Sequence, residues 1–118
     1  MIKIFESEYR FCLIMWELEP INSTKLMKIC KERLGWSKST TYTVIRRLSE
    51  RGILKDENAI VYSLVSKAQA QQAQLEELLE KTFENSVPAL LTAVVNSGRL
   101  SEGDARQLVE MIGHYTEA

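Results

Sequence analysis

Ser37-Lys38-Ser39-Thr40-Thr41-Tyr42-Thr43-Val44-Ile45-Arg46-Arg47-Leu48-Ser49-Glu50-Arg51-Gly52 is the stretch that decides the fold. A serine suited to capping a helix opens it, and a glycine suited to ending one closes it. At about 100° per residue, Thr41, Val44, Ile45 and Leu48 share one side, which is expected to pack on neighbouring helices. Lys38, Ser39, Tyr42, Thr43, Arg46 and Arg47 fall on the remaining arc or its flanks. Hydroxyls, an aromatic ring and cations are the side chains that bond base edges and phosphates when a helix lies in the major groove. The first turns reach deepest, so Lys38, Ser39, Tyr42 and Thr43 are candidates for base contact, with Thr40 beside them. Arg46, Arg47, Arg51 and Lys55 lie further back and suit phosphates. The plainer reading of the same cations is a solvated helix face.

Upstream, the pattern predicts two more helices. Ser7 can cap the first, from about Ser7 to Glu19, in which Tyr9, Phe11, Cys12, Met15, Trp16 and Leu18 carry the spacings of a buried face. Pro20 stops it. Asn22 and Ser23 offer caps for a second helix, roughly Thr24 to Leu34, with Leu26, Ile29 and Cys30 on its apolar side and Gly35 at its end. The decisive third helix is expected from Lys38 to Arg51.

Downstream the period changes. Ile53-Leu54-Lys55 and Ile60-Val61-Tyr62-Ser63-Leu64 are strand formers flanking Asp56-Glu57-Asn58-Ala59, a turn candidate. A hairpin behind three helices is the winged-helix arrangement. A fourth helix, Lys67 to about Asn85, begins after Ser66 and carries a Leu75, Leu78, Leu79, Phe83 stripe. A short helix after Pro88 holds Leu90, Leu91 and Val94. Ser101 and Asp104 resemble the capping pair of a last helix through about His114, which includes Leu108 and Ile112. The expected class is mainly α with a small β-hairpin. Residues 1–66 would form a winged helix-turn-helix and residues 67–118 a helical dimerisation region, because so small an N-terminal unit cannot cover those apolar faces.

Composition agrees with a folded, non-catalytic chain. Of 118 residues, 45% are hydrophobic and 26% charged, with 15 Lys+Arg against 16 Asp+Glu. Residues 1–67 carry 12 cations and 8 anions, whereas residues 68–118 carry 3 and 8, so a basic half precedes an acidic one. Glu76, Glu77, Glu80 and Glu84 read as a solvated face. No apolar run approaches the roughly 18–20 residues needed to span a bilayer, and the opening lacks the order of a secretory signal; a cytoplasmic location is expected. Cys12 and Cys30 fall on apolar helix faces and read as small hydrophobes, not as a disulfide framework or metal site. One histidine, His114, leaves little for acid–base or metal chemistry. No nucleophile triad, carboxylate pair or phosphate-cradling glycine loop can be assembled, so neither enzyme activity nor a cofactor is expected. Trp16 reads as core. Trp36 either braces its turn or reaches phosphate through its indole N–H.

Gly35-Trp36-Ser37-x-x-Thr40-x-x-Thr43-x-x-x-Arg47-Leu48-x-x-x-Gly52 resembles the signature of the penicillinase-repressor (BlaI/MecI-like) family of winged-helix transcriptional repressors. Glu6-x-Glu8-Tyr9, Met15-Trp16-Glu17 and Pro20-Ile21 resemble its opening segment, and Leu64-Val65-Ser66 its passage into the fourth helix. Leu90-Leu91 and Gly98-Arg99-Leu100-Ser101-Glu102 resemble its dimerisation region. The resemblance implies a homodimer on a dyad-symmetric operator, with double-stranded DNA and a second copy as partners. In many members a membrane sensor-protease system triggers release. Three departures stand out. The hairpin is about four residues shorter than the family's, with an acidic Asp56-Glu57-Asn58 tip. Ala93-Val94 occupies the place of an Asn-Phe cleavage point, so proteolytic release does not carry over. The chain has no cysteine after Cys30, which excludes the copper-sensing device of some relatives.

Two functions of different class follow. One is a dimeric, sequence-specific DNA-binding repressor. The other is a winged-helix module whose third helix meets a protein, favoured by the short acidic wing. Salt-sensitive retention on heparin or nonspecific DNA separates them.

Overall fold

A computed structural model of the chain describes residues 2–117. Helix α1 (Glu6–Leu18) starts differently from expectation. Phe5 holds the N-cap position without a side-chain acceptor, and Glu8 Oε1 accepts the Phe5 N–H at 2.9 Å. Ser7 therefore lies in the first turn and does not cap the helix; a carboxylate reaching back to the free N–H groups takes that part. Strand β1 (Ile21–Asn22), unforeseen in the sequence, precedes α2 (Ser23–Leu34), whose cap is Asn22, its side chain accepting the Thr24 and Lys25 N–H groups. Gly35, left-handed at φ 71°, ends α2. That turn sends Trp36 back onto Phe11, the two rings stacked 5° from parallel with centroids 6.2 Å apart.

Helix α3 spans Lys38–Glu50, with Arg51 as its C-cap instead of its last residue. Ser37 caps it as expected, its hydroxyl accepting the Thr40 N–H at 3.2 Å. The hairpin is β2 (Leu54–Glu57) and β3 (Ile60–Ser63), and the sheet order is β1-β3-β2. Asp56 and Glu57 pair with Val61 and Ile60 as strand residues, so the turn shrinks to Asn58-Ala59. Both turn residues are left-handed, at φ 53° and 63°, the geometry that matches the twist of a two-residue hairpin. Ser23 N–H binds the Ala59 carbonyl at 2.8 Å and Ile21 pairs with Val61, which fastens the hairpin to the start of α2.

One core holds these elements. Phe11, Cys12 and Met15 from α1, Leu26 and Cys30 from α2, Ile45 and Leu48 from α3, and Ile53, Leu54 and Val61 from the hairpin region are buried together. Glu19 closes the far end, its carboxylate accepting the Ser63 N–H at 2.9 Å and the Ser63 hydroxyl at 2.7 Å. Trp16 packs partly buried against the core, as expected, and its indole N–H donates to the Val65 carbonyl at 2.9 Å.

Helices α4 (Lys67–Lys81), α5 (Val87–Asn96) and α6 (Glu102–Glu117) follow. Ser66 and Gln69 cap α4 reciprocally, and Ser101 and Asp104 do the same for α6, the latter pair as expected. Helix α4 stops at Lys81, short of the expected Asn85, because Glu84 and Asn85 turn left-handed at φ 51° and 64°. Helix α6 runs past His114 to Glu117. The chain divides into two compact units, residues 1–75 and 76–118, with the division inside α4. Among the described residues no helix is long and apolar enough to cross a membrane.

Candidate nucleic-acid interface

The buried side of α3 is Thr41, Val44, Ile45 and Leu48, the four residues the 3.6-residue period assigns to it. Thr41 is polar yet wholly buried, and its hydroxyl donates to the Ser37 carbonyl at 3.1 Å, which satisfies it and tightens the first turn. The opposite arc is presented to solvent. Tyr42 is 57% exposed, Lys38, Ser39, Thr40, Arg46 and Arg47 are exposed, and Thr43 is half-buried. At the front of the helix the hydroxyls of Ser39 and Thr40 lie 3.2 and 3.0 Å from that of Ser37.

The four cations placed behind the first turns differ in what surrounds them. Arg46 pairs with Glu50 one turn on, at 3.0 Å, both side chains in solvent. Arg51 turns inward: its guanidinium binds Glu8 Oε2, donates to the Lys3 carbonyl at 2.7 Å and lies over the Phe5 ring. Glu8 is 5% exposed, so this pair joins a buried carboxylate to the end of α3, and Arg51 supports the helix from behind. Lys55 lies 3.4 Å from Glu57 on the wing. Glu57 also accepts the Tyr62 hydroxyl at 3.0 Å. The hydrogen bond from Tyr62, then the Lys55 charge, holds the Glu57 carboxyl below its ordinary value, while the same bond raises the Tyr62 phenol. The Glu57 carboxylate on the wing is therefore ionised at neutral pH. Arg47 and Lys38, by contrast, have no acidic partner among the described residues.

Beside Arg47 a shallow cavity of about 370 Å³ opens between the start of α1 and α3, lined by Ser7, Trp36, Ser39, Thr40, Thr43, Val44 and Arg47. Sequence reasoning missed Ser7 here by assigning it to a cap. It missed Glu8 as the anchor of Arg51 because the two stand 43 positions apart. Trp36 braces its turn through Phe11, one of its two readings, and also forms a wall of this cavity.

In the C-terminal half the only buried side chain among the described residues of α4, α5 and α6 is Ala70. Of the apolar positions assigned there to dimerisation, Leu79, Phe83, Leu90, Leu91, Val94 and Leu108 are half-buried, and Leu75, Leu78 and Ile112 are exposed at 38%, 42% and 51%. Val109, Met111 and Tyr115 add 72%, 64% and 83% exposure on α6.

The cysteines are buried in the core, and burial pushes the Cys12 thiol up to about 12 and that of Cys30 to about 11. Both remain protonated at neutral pH.

This architecture has relatives. The chain is 27% identical over 114 residues to an uncharacterised 16.5 kDa protein in the ptsI 3′ region of Latilactobacillus sakei, an alignment covering 93% of this chain and 78% of that protein. The penicillinase repressor family model matches residues 4–114, spanning the winged helix and the helices after it. With its hairpin, its capped third helix and nearly its whole length inside that match, the chain belongs to the penicillinase repressor family, whose members regulate transcription by binding DNA.

Proposed function

We propose that this protein is a sequence-specific transcriptional repressor that binds a dyad-symmetric operator as a homodimer. The observation that carries this reading is α3: a helix held from behind by Thr41, Val44, Ile45 and Leu48 that offers solvent Lys38, Ser39, Tyr42 and Arg47. Lys38, Ser39 and Tyr42 reach base edges, with Thr40 and Thr43 flanking them, and Arg46 and Arg47 hold phosphates. Arg51 and Lys55 contribute through the helix and wing they brace. The dimer rests on α4–α6, whose exposed Val, Leu, Ile, Met and Tyr side chains form an apolar surface that a second copy would cover. Two recognition helices related by a twofold axis would enter major grooves about 34–36 Å apart, or a multiple of that.

Selection of bound duplexes from a random DNA pool tests the reading. Enrichment of an inverted repeat supports it. No enrichment, with retention on a protein ligand instead, favours the protein-contact alternative, for which the ionised Glu57 on the wing is the specific observation.

A further inference from the structure

Four residues that carry hydrogen-bond donors line the cavity between α1 and α3, and those donors have no partner among the described residues. They are Ser7, Trp36, Thr43 and Arg47, whose side chains carry two hydroxyls, an indole N–H and a guanidinium. No carboxylate lines it. Glu8, in the same turn as Ser7, is occupied by Arg51 and the Phe5 N–H. A concave patch that supplies donors, one full positive charge and no anion matches the oxygens of a phosphodiester. The stacking of Trp36 on Phe11 fixes the indole, so its N–H needs no reordering to bind.

We infer that this cavity seats one backbone phosphate of the operator, gripped by Ser7, Trp36, Thr43 and Arg47, and that α1 is thereby part of the DNA interface. The inference rests on the repressor reading and extends it to a helix outside the helix-turn-helix. It also divides α3: Thr43 and Arg47 face the sugar–phosphate chain, whereas Tyr42, one residue earlier and more exposed, faces the bases.

The test uses the full chain, a selected operator, and duplexes each carrying one methylphosphonate, which removes the charge of a single phosphate. Ser7→Ala alters an exposed side chain away from the core. Trp36→Phe keeps a ring on Phe11 and deletes the N–H. Each variant is expected to bind the unmodified operator about tenfold more weakly per half-site, and so about a hundredfold more weakly as a dimer, the loss typical of a hydrogen bond to a charged group. One phosphate position per half-site should cost the wild type more affinity than it costs these variants, while every other position costs both alike. Losses that add at every position overturn the proposal, as does wild-type affinity in both variants with unchanged melting. If the wild type binds no duplex at low salt, the repressor reading falls and the seat with it. If the wild type binds but no position is selective, only the seat falls. Millimolar inorganic phosphate that alters Trp36 emission, read as wild type minus Trp36→Phe, without any position-selective loss, makes this a free-anion site and overturns the operator assignment.

Discussion

Arg47→Ala removes the arginine of α3 that has no acidic partner among the described residues, and the size of the effect follows from that. A released phosphate contact changes the slope of log affinity against log salt by about 0.9. A dimer carries Arg47 twice, so the slope should flatten by about 1.8. Between about 50 and 200 mM salt, wild-type affinity should therefore fall about 12-fold more than that of the variant. The loss should be equal on operator and unrelated DNA, because phosphates carry no sequence. Glu50→Gln provides the converse. It frees Arg46 from its 3.0 Å partner, and since an exposed pair is worth up to about 1 kcal/mol, affinity should rise by as much as about fivefold per half-site. Fluorescence anisotropy across a salt series reads both. An Arg47→Ala slope identical to wild type, with an unchanged melting temperature, would show that the Arg47 guanidinium touches no phosphate.

Tyr42→Ala should cost roughly 1–3 kcal/mol on the operator and little on random DNA, relaxing the enriched sequence at one position per half-site; equal losses on both would place Tyr42 on the backbone. Light scattering at tens of micromolar should give the mass of a dimer, and a stable monomer there would show that the apolar surface of α4–α6 has no second copy to cover it. Ala59→Gly should stabilise the chain by about 1 kcal/mol, since Ala59 sits at φ 63°, where a Cβ is penalised; urea denaturation that shows no gain would mean the turn is not strained. Cys12 and Cys30 should resist iodoacetamide at pH 8 until denaturant is added. Their thiol values are raised on folding, so the linked stability is intact below the ordinary value of 9.0 and declines as pH climbs through about 11 to 12. Native labelling at the rate of a free thiol would contradict this burial.

What could be read from the sequence was what the local period controls. Thr41, Val44, Ile45 and Leu48 are the buried side of α3 because a 3.6-residue helix leaves no other choice, and Ser37, Asn22 and Gly35 mark ends through chemistry confined to one turn. Contacts between distant positions were not readable. Arg51 looked like the neighbour of Arg47 on a cationic face, yet Glu8, on another helix, draws it inward. Ser7 looked like a cap because serine often is one, but the carboxylate of Glu8 reached the Phe5 N–H first. Strand β1 is two residues long and exists only because Val61 and Ile60 pair with it, so no local pattern could announce it. On the wing, Asp56 and Glu57 are poor strand formers held in the ladder by their partners, an override of propensity by pairing.

The tie between Arg51 and the start of the chain bears on how deletions should be designed and interpreted. Ile2 and Ile4 pack against the core, the Lys3 carbonyl accepts from Arg51, and the Phe5 N–H occupies one oxygen of Glu8. A fragment trimmed to the first helical residue would strip Arg51 of one acceptor and Glu8 of one donor together, loosening the far end of α3 from below. Weak DNA binding by such a fragment would mimic the loss of a basic arm, with Lys3 as the obvious suspect. Lys3→Ala leaves the backbone carbonyl in place and so separates a charge on the duplex from a strap under the reading head.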